Sequence, residues 1–486
     1  MNIADGLSRQ AATTPFAVAV VREGLLLHYR TFDQAVWRAA TFLRKQGIGP
    51  GDVVGVSCIG QVAHLLVAFA LARMGAVQVA LPLHEPSAAR RDRAAFFGAV
   101  AVIGDNPAAG EAGVPVVRFD TAWLAPDGGP GNYDVRSGED DQPWLIGHSS
   151  GTTGAPKAFS LTHRDAVARA ARETAMTAIR SSDVFLSPMR LDFPANKLHA
   201  FNCLAAGATF ATGRLDAEGA LVRLAEMHRA TYLNLTASSL AGLLQACSED
   251  GVRLPYVRVL RAGAGTIGEE LRRAALQRLS PNLVVTYGTN EGGLIATAEP
   301  PALARRIGAA GRAVAGIRWE IVDEADRLLP PGSIGAIRLA GPGVARGYWQ
   351  AEADARHFRD GWFHPGDLVS CDADGLLAFH GRVDDLMNFD GIKIYPADIE
   401  DLLLTHPAVA EAAAFPTRPA PGWDLPMAAV VLREQASEDE LLAHCRARLG
   451  MRAPRRVMIE PRMPRNNIGK VLKRELAARL EAMADT

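Results

Sequence analysis

Between Val53 and Tyr287 short apolar runs alternate with longer stretches of helical period, and few folds accommodate that alternation. The run from Val53 to Ile59 predicts a strand, Ala63 to Met74 a helix closed by Gly75, and Val77 to Leu81 the next strand. The same features recur around 99–103, 184–186, 232–235, 257–260 and 283–287. They predict an α/β domain with largely parallel sheets. With 486 residues, 48% of them hydrophobic, the chain can bury a large core, and its length predicts two or more domains.

From about Gly308 the texture changes. Glycine and proline become frequent (Gly311, Gly316, Pro330, Pro331, Gly332, Gly335, Gly341, Gly343), which suits short strands in a small β-barrel-like section. After Arg382 a further compact unit is predicted, with strands at 410–415 and 428–432 and helices at 437–449 and 472–483. A formal net charge of −1 gives no electrostatic case for nucleic acid. The apolar run Leu65 to Leu71 is far short of the ~20 residues a membrane span needs, and MNIADGLSRQ lacks the basic-then-apolar pattern of a signal peptide. Cysteines at 58, 203, 247, 371 and 445 form no C-x-x-C pair and no cluster with histidine, which argues against a disulfide framework or structural zinc. A cytoplasmic protein is the expectation.

The densest chemical signal is HSSGTTGAPK, His148 to Lys157, set between the apolar Trp144-Leu145-Ile146 and Phe159 to Leu161. Glycine lets backbone N–H groups turn toward an anion, and Ser/Thr hydroxyls add donors without bulk. Ser149, Ser150, Gly151, Thr152, Thr153 and Gly154 therefore read as a polyphosphate cradle, with Lys157 adding a mobile charge. The spacing is not that of a Walker A loop, because two residues separate Gly154 from Lys157 and Ala158 follows. A second loop, RAGAGTIGEEL, carries G-x-G-x-x-G at Gly263, Gly265 and Gly268. A dinucleotide site would need an acidic residue closing the following strand, and that strand ends instead in Tyr287-Gly288-Thr289. Glu291 comes three residues past Gly288, and a magnesium ion on ATP phosphates needs only one or two such carboxylates. Asp367 stands behind Gly366 in GWFHPGDL, where a fixed carboxylate can accept both hydroxyls of a ribose.

In their order and rough spacing these motifs resemble those of the adenylate-forming superfamily of AMP-binding enzymes: acyl- and aryl-CoA synthetases, adenylation domains of nonribosomal peptide synthesis, and luciferases. The resemblance covers nearly the whole chain. It implies a large AMP-binding domain of parallel α/β sheets and barrel-like section over 1–381, a hinge over 382–388, and a small mobile α+β domain over 389–486. HSSGTTGAPK would be the phosphate loop. Gly263, Ala264 and Gly265 would lie against adenine, with Tyr287, Gly288, Thr289 and Asn290 continuing the ATP site. Asn290 replaces the family's usual threonine, so its reach toward phosphate differs. Glu291 would hold Mg2+, Asp367 the ribose with help from Arg382, and Asp384 would be the hinge. Gly391 and Lys393, in GRVDDLMNFDGIKIYPADIE, would wall a pantetheine tunnel after domain rotation. Lys470, in PRNNIGKVLKREL, would be the catalytic lysine.

Counting back from Gly207-Ala208 places Asp192 where many relatives line the acyl pocket. There it could read a substrate amine or hydroxyl, or it could pair with Arg190 or Lys197. The implied activity is ATP-dependent conversion of a carboxylic acid to an acyl-adenylate with release of pyrophosphate. The acyl group then passes to a thiol, that of coenzyme A or of a carrier-protein phosphopantetheine. Two alternatives stay open: a nucleotide-binding homologue without thioester transfer, and a stand-alone amino- or hydroxy-acid adenylating enzyme that loads a carrier protein.

Overall fold

The computed structural model describes residues 1–125, 139–149, 157–214, 219–247, 254–265, 267–305, 309–349, 356–389, 392–420, 423–465 and 471–484. Six parallel strands form the centre of its larger sheet, in the order Val18–Arg22, Thr209–Ala211, Val184–Leu186, Tyr232–Thr236, Val259–Gly263 and Leu283–Thr289. The last of these turns back into Gly293–Ala298, and pairing becomes antiparallel through Ala309–Ala313, Leu376–Arg382, Asp367–Cys371 and Gly335–Ala340. These glycine-rich strands enclose an apolar centre of Ile295, Ile337, Leu339, Phe363, Val369 and Leu377. The barrel-like section thus grows out of the edge of the parallel sheet.

A second sheet runs Val116–Arg118, Ala101–Gly104, Val53–Ser57, Val77–Ala80, Pro143–Ser149 and Lys157–Thr162, parallel except for its last pair. Helix Gln61–Met74 is buried at every residue but Gln61. A helix apolar on all sides must lie inside the molecule. Phe69 on it stacks against Phe201 of helix Pro194–Ala205, ring centroids 3.7 Å apart, in a core that draws on both sheets. Gly75 closes the helix with φ +73°, a conformation that residues with a Cβ rarely adopt.

Two strands begin later than their apolar runs. Ala99 returns its N–H to Ala94 O and so completes the preceding helix end, and Val257 donates to Leu254 O in a turn. The strands accordingly start at Ala101 and Val259. Local hydrogen bonding takes priority over apolar character here.

Residues from Met387 onward carry two cores of their own, one around Met387, Ile399, Leu403, Val430 and Leu441, the other around Phe415, Met458 and Leu476. The expected strands form the open end of a longer hairpin, Val409–Ala420 with Trp423–Leu432. Helix Pro396–Leu404 lies against strand Leu376–Arg382, and ion pairs join Arg433 to Glu270 and Lys393 to Glu324. No described helix is long and apolar enough to cross a membrane.

Candidate active site

Parallel strands deliver all their carboxyl ends to one edge of a sheet, the edge at which open α/β folds bind ligands. Here that edge gathers the segments following Leu186, Thr236, Gly263 and Thr289. At Gly263 a Cβ would lie 2.4 Å from Thr286 Oγ1, so only glycine lets the neighbouring strand approach. Ala264 follows with φ +59°, and both it and Gly265 are exposed. A non-glycine residue in the left-handed region marks a backbone held by its surroundings, often at a binding site. This open, small-residue loop suits a flat base.

Strand Asp367–Cys371 runs antiparallel to Leu376–Arg382 with Asp367 opposite Arg382. Asp367 is 3% exposed. Tyr287 donates its hydroxyl to Oδ2 at 2.7 Å, and Arg382 Nη1 donates to Oδ1 at 2.6 Å. Burial, then the charge of Asp367, holds the Tyr287 hydroxyl protonated by raising its pKa well above the ordinary value. Each carboxylate oxygen has one donor and retains acceptor capacity for a ribose hydroxyl.

Glu291, 7% exposed, lies in the turn between Leu283–Thr289 and Gly293–Ala298. Glycine at 288 is required because a Cβ there would meet Gly293 O at 2.5 Å. Thr289 Oγ1 accepts from Gly292 N at 2.8 Å, tightening the turn. Tyr348 donates its hydroxyl to Glu291 Oε1 at 3.2 Å, and its ring lies 5.7 Å from Lys157 Nζ. Lys157 Nζ is in turn 2.7 Å from His357 Nε2, while His357 Nδ1 is 2.8 Å from His364 O. A carbonyl only accepts, so Nδ1 carries the proton and Nε2 accepts from the ammonium. Burial, more than the nearby Lys157 charge, lowers the His357 pKa and keeps the ring neutral.

Sequence reasoning passed over three members of this arrangement. Tyr348 and His357 sit outside any motif, and Arg169 lies in helix His163–Thr177, where arginine ordinarily reads as a solvated face. Arg169 is instead 5% exposed and donates to the carbonyls of Gly343 (2.6 Å), Asn290 (2.9 Å) and Glu291. Burial pulls its pKa down to about 9, which leaves it charged at neutral pH. Nothing in the local sequence signals this role.

Of the remaining expected residues, Asp192 pairs with Arg190, Nε to Oδ2 at 2.6 Å, and lies on the same edge of the sheet. Asp384 is exposed in the single turn Val383–Asp385 that follows strand Leu376–Arg382. Lys393 is exposed and paired with Glu324 at 2.7 Å. Ser149 ends strand Pro143–Ser149. Ser150, Gly151, Thr152, Thr153, Gly154, Gly391 and Lys470 lie outside the described residues.

Residues 7–349 match the model of the AMP-binding enzyme family, and residues 398–470 match that of the AMP-binding enzyme C-terminal domain. The chain belongs to the AMP-binding enzyme family. It is therefore an acid–thiol ligase, which activates a carboxylic acid as an acyl-adenylate at the expense of ATP and transfers the acyl group to a thiol. A feruloyl-CoA synthase from an Amycolatopsis species is 31% identical over 488 residues, covering 97% of each chain. The 4-coumarate–CoA ligase 3 of Oryza sativa subsp. japonica is 28% identical over 93% of this chain and 87% of its own. Among solved structures, ATP-bound MatB from Rhodopseudomonas palustris superposes with a TM-score of 0.90 over 99% of this chain and all of its own, at 23% identity. The O-succinylbenzoate coenzyme A synthetase of Bacillus subtilis with AMP gives 0.85 over 97% of each chain, at 24% identity. These structures share the fold.

Proposed function

We propose that this ligase takes an aromatic carboxylic acid as acyl donor and coenzyme A as thiol. The observation that carries the nucleotide half is the meeting of Asp367, Tyr287 and Arg382 with the Glu291–Tyr348–His357–Lys157 chain at the carboxyl edge of the strands. The acid and the thiol rest on the relatives named for feruloyl and coumaroyl thioesters.

In the first half-reaction a carboxylate oxygen attacks the α-phosphorus of ATP, an O–P bond forms, and the bond to pyrophosphate breaks. Two anions must meet, so alignment and charge stabilisation dominate. Asp367 fixes the ribose, and the loop at Gly263–Gly265 seats the base. Lys157 lies toward the phosphates, and Lys470 would bridge the carboxylate and α-phosphate. In the second half-reaction the thiol sulfur attacks the acyl carbon and AMP leaves. Lys470 has no part in that step, and we assign its withdrawal to rotation of residues 389–486 about 382–388, with Asp384 as pivot and Gly391 and Lys393 moving toward the tunnel.

Glu291 fits a magnesium ion carried on the nucleotide. It is a single buried carboxylate, and the described residues include no group of three or more His, Cys, Asp or Glu side chains able to hold a metal. Such a donor set matches an ion bound mostly by phosphate and water, where it neutralises phosphate charge.

Pyrophosphate release over a panel of aromatic and aliphatic acids, followed by mass analysis with coenzyme A present, tests the reading. Aromatic acids should release pyrophosphate and yield coenzyme A thioesters. Release with aliphatic acids alone, or acyl transfer only to a carrier protein, would overturn it.

A further inference from the structure

Residues 466–470, which carry Lys470, stand between two described residues that are joined to each other. Arg465 and Val471 form an antiparallel bridge, and Leu472 N donates to Pro464 O at 2.8 Å. A short loop closed at its ends moves only as its base moves. Whatever fixes the base therefore places the lysine. On the leading side Arg465 pairs with Glu411 of strand Val409–Ala420, but both side chains are half-exposed, and such pairs contribute little.

The trailing side is held more firmly. Lys473 opens helix Lys473–Ala484, and its Nζ lies 2.6 Å from Glu400 Oε1. The two side chains are 25% and 16% exposed. The same oxygen accepts the N–H of Ala414 at 2.9 Å, and Ala414 is fully buried. Glu400 thus joins helix Pro396–Leu404, the hairpin and the last helix at one atom. A cation in the first turn of a helix meets the positive end of the macrodipole, so Lys473 gains nothing there from the helix itself. The carboxylate it reaches explains its place.

Glu400 also has a fixed relation to the nucleotide site. Pro396, one turn earlier on the same helix face, lies against strand Leu376–Arg382, its Cδ 3.5 Å from where a Cβ on Gly381 would stand. That strand ends at Arg382, which holds Asp367. One helical turn thus separates the strand of the ribose clamp from the anchor of the lysine loop. We propose that Glu400, acting through Lys473, is the positioning residue that sets Lys470 against the α-phosphate for adenylation. This rests on the assignment of Lys470 to the first half-reaction and deepens it. Glu400, Ala414 and Lys473 all fall within 389–486, so the anchor travels with the lysine when that unit rotates, and the second half-reaction does not need it.

The test compares Lys473→Met, which keeps the stem and removes the charge, with Glu400→Gln, whose Oε1 still accepts from Ala414 N. Each is measured for pyrophosphate release with ferulate, or with the fastest acid of the panel above if that is another. Each is also measured for thioester formation from the chemically prepared acyl-adenylate and coenzyme A. Lys473→Met should slow release roughly 10- to 100-fold, the scale on which a misplaced catalytic group costs rate. Thioester formation should stay within about twofold of wild type. Glu400→Gln should slow release roughly fivefold, the loss from a charge-assisted hydrogen bond to a neutral one, and it carries the test if Lys473→Met does not fold. In the Lys470→Ala background Lys473→Met should cost no more than about a further twofold, because residues that act as a unit do not add. Equal loss of both half-reactions would reduce the pair to holding the fold, and full additivity in the double variant would make Lys473 a substrate contact of its own; either overturns the proposal. So does wild-type release in Lys473→Met and Glu400→Gln while Lys470→Ala is slow. Wild-type release in Lys470→Ala would overturn the reading of Lys470 itself, and the anchor with it.

Discussion

His357 holds a cation without being charged itself. Its Nδ1 proton is committed to His364 O, so the Nε2 lone pair is fixed toward Lys157. Replacing it with leucine removes an acceptor for a charged donor, a loss of ~1.4 kcal/mol or about tenfold in affinity. KM for ATP should therefore rise about tenfold in His357→Leu while KM for the acid stays put, and His357→Gln, whose Oε1 can accept, should recover most of it. An equal rise in both KM values would reduce His357 to a packing role. Individual residues of this site were legible in the sequence where glycine or a motif framed them, as at Asp367, Tyr287 and Glu291. His357, Tyr348 and Arg169 were not, because they sit outside any motif and their partners lie 57 to 200 residues away, so only the folded strands bring them together.

Elements act on the chemistry through their ends. The parallel strands were readable from their apolar runs, yet their starts shifted wherever a backbone N–H had a local carbonyl to satisfy, as at Ala99 and Val257. Helix His163–Thr177 was not readable as part of the site, since its Thr162–Asp165 capping box and mixed face describe an ordinary surface helix. Its Arg169 nevertheless ties the Asn290–Glu291 turn to Gly343 with three donors from one planar guanidinium. Lysine cannot reproduce that fork. Arg169→Lys should leave the turn free to move Glu291, cutting pyrophosphate release ~100-fold and raising the magnesium concentration needed for half-maximal rate, since positioning terms of this size are typical. Unchanged magnesium dependence would show that the turn keeps its shape without Arg169.

Several histidines spread across the molecule are held as neutral rings by burial. Burial holds His148, His163 and His364 near pKa about 4 and keeps His64 and His199 well below the ordinary value. In the unfolded chain the same rings take up protons near pH 6.5, so below that pH the unfolded state binds more protons and stability falls as pH drops. The loss should spread between about pH 6.5 and about pH 4, read as a falling melting temperature. A melting temperature that holds steady across this interval would mean that the rings protonate in place.

At the junction of the two units, an exposed turn at Val383–Asp385 separates a strand that ends in the nucleotide site from residues with cores of their own. Such a boundary can change shape without disturbing either core, and that is what a hinge requires. The proposed division into 1–381, 382–388 and 389–486 makes a kinetic prediction: one orientation would serve adenylation and the other thioester formation. Asp384→Pro fixes φ near about −65° at the pivot and should leave pyrophosphate release intact while abolishing transfer to coenzyme A. Lys470→Ala should do the reverse, slowing pyrophosphate release ~100- to 1,000-fold, the usual cost of losing one charge-stabilising donor. It should still convert a supplied acyl-adenylate to thioester. The two variants thus separate the half-reactions in opposite directions, which misfolding cannot mimic, because a misfolded enzyme loses both. Equal loss of both half-reactions in Asp384→Pro would place the hinge elsewhere, and near wild-type pyrophosphate exchange in Lys470→Ala would remove that lysine from the first step.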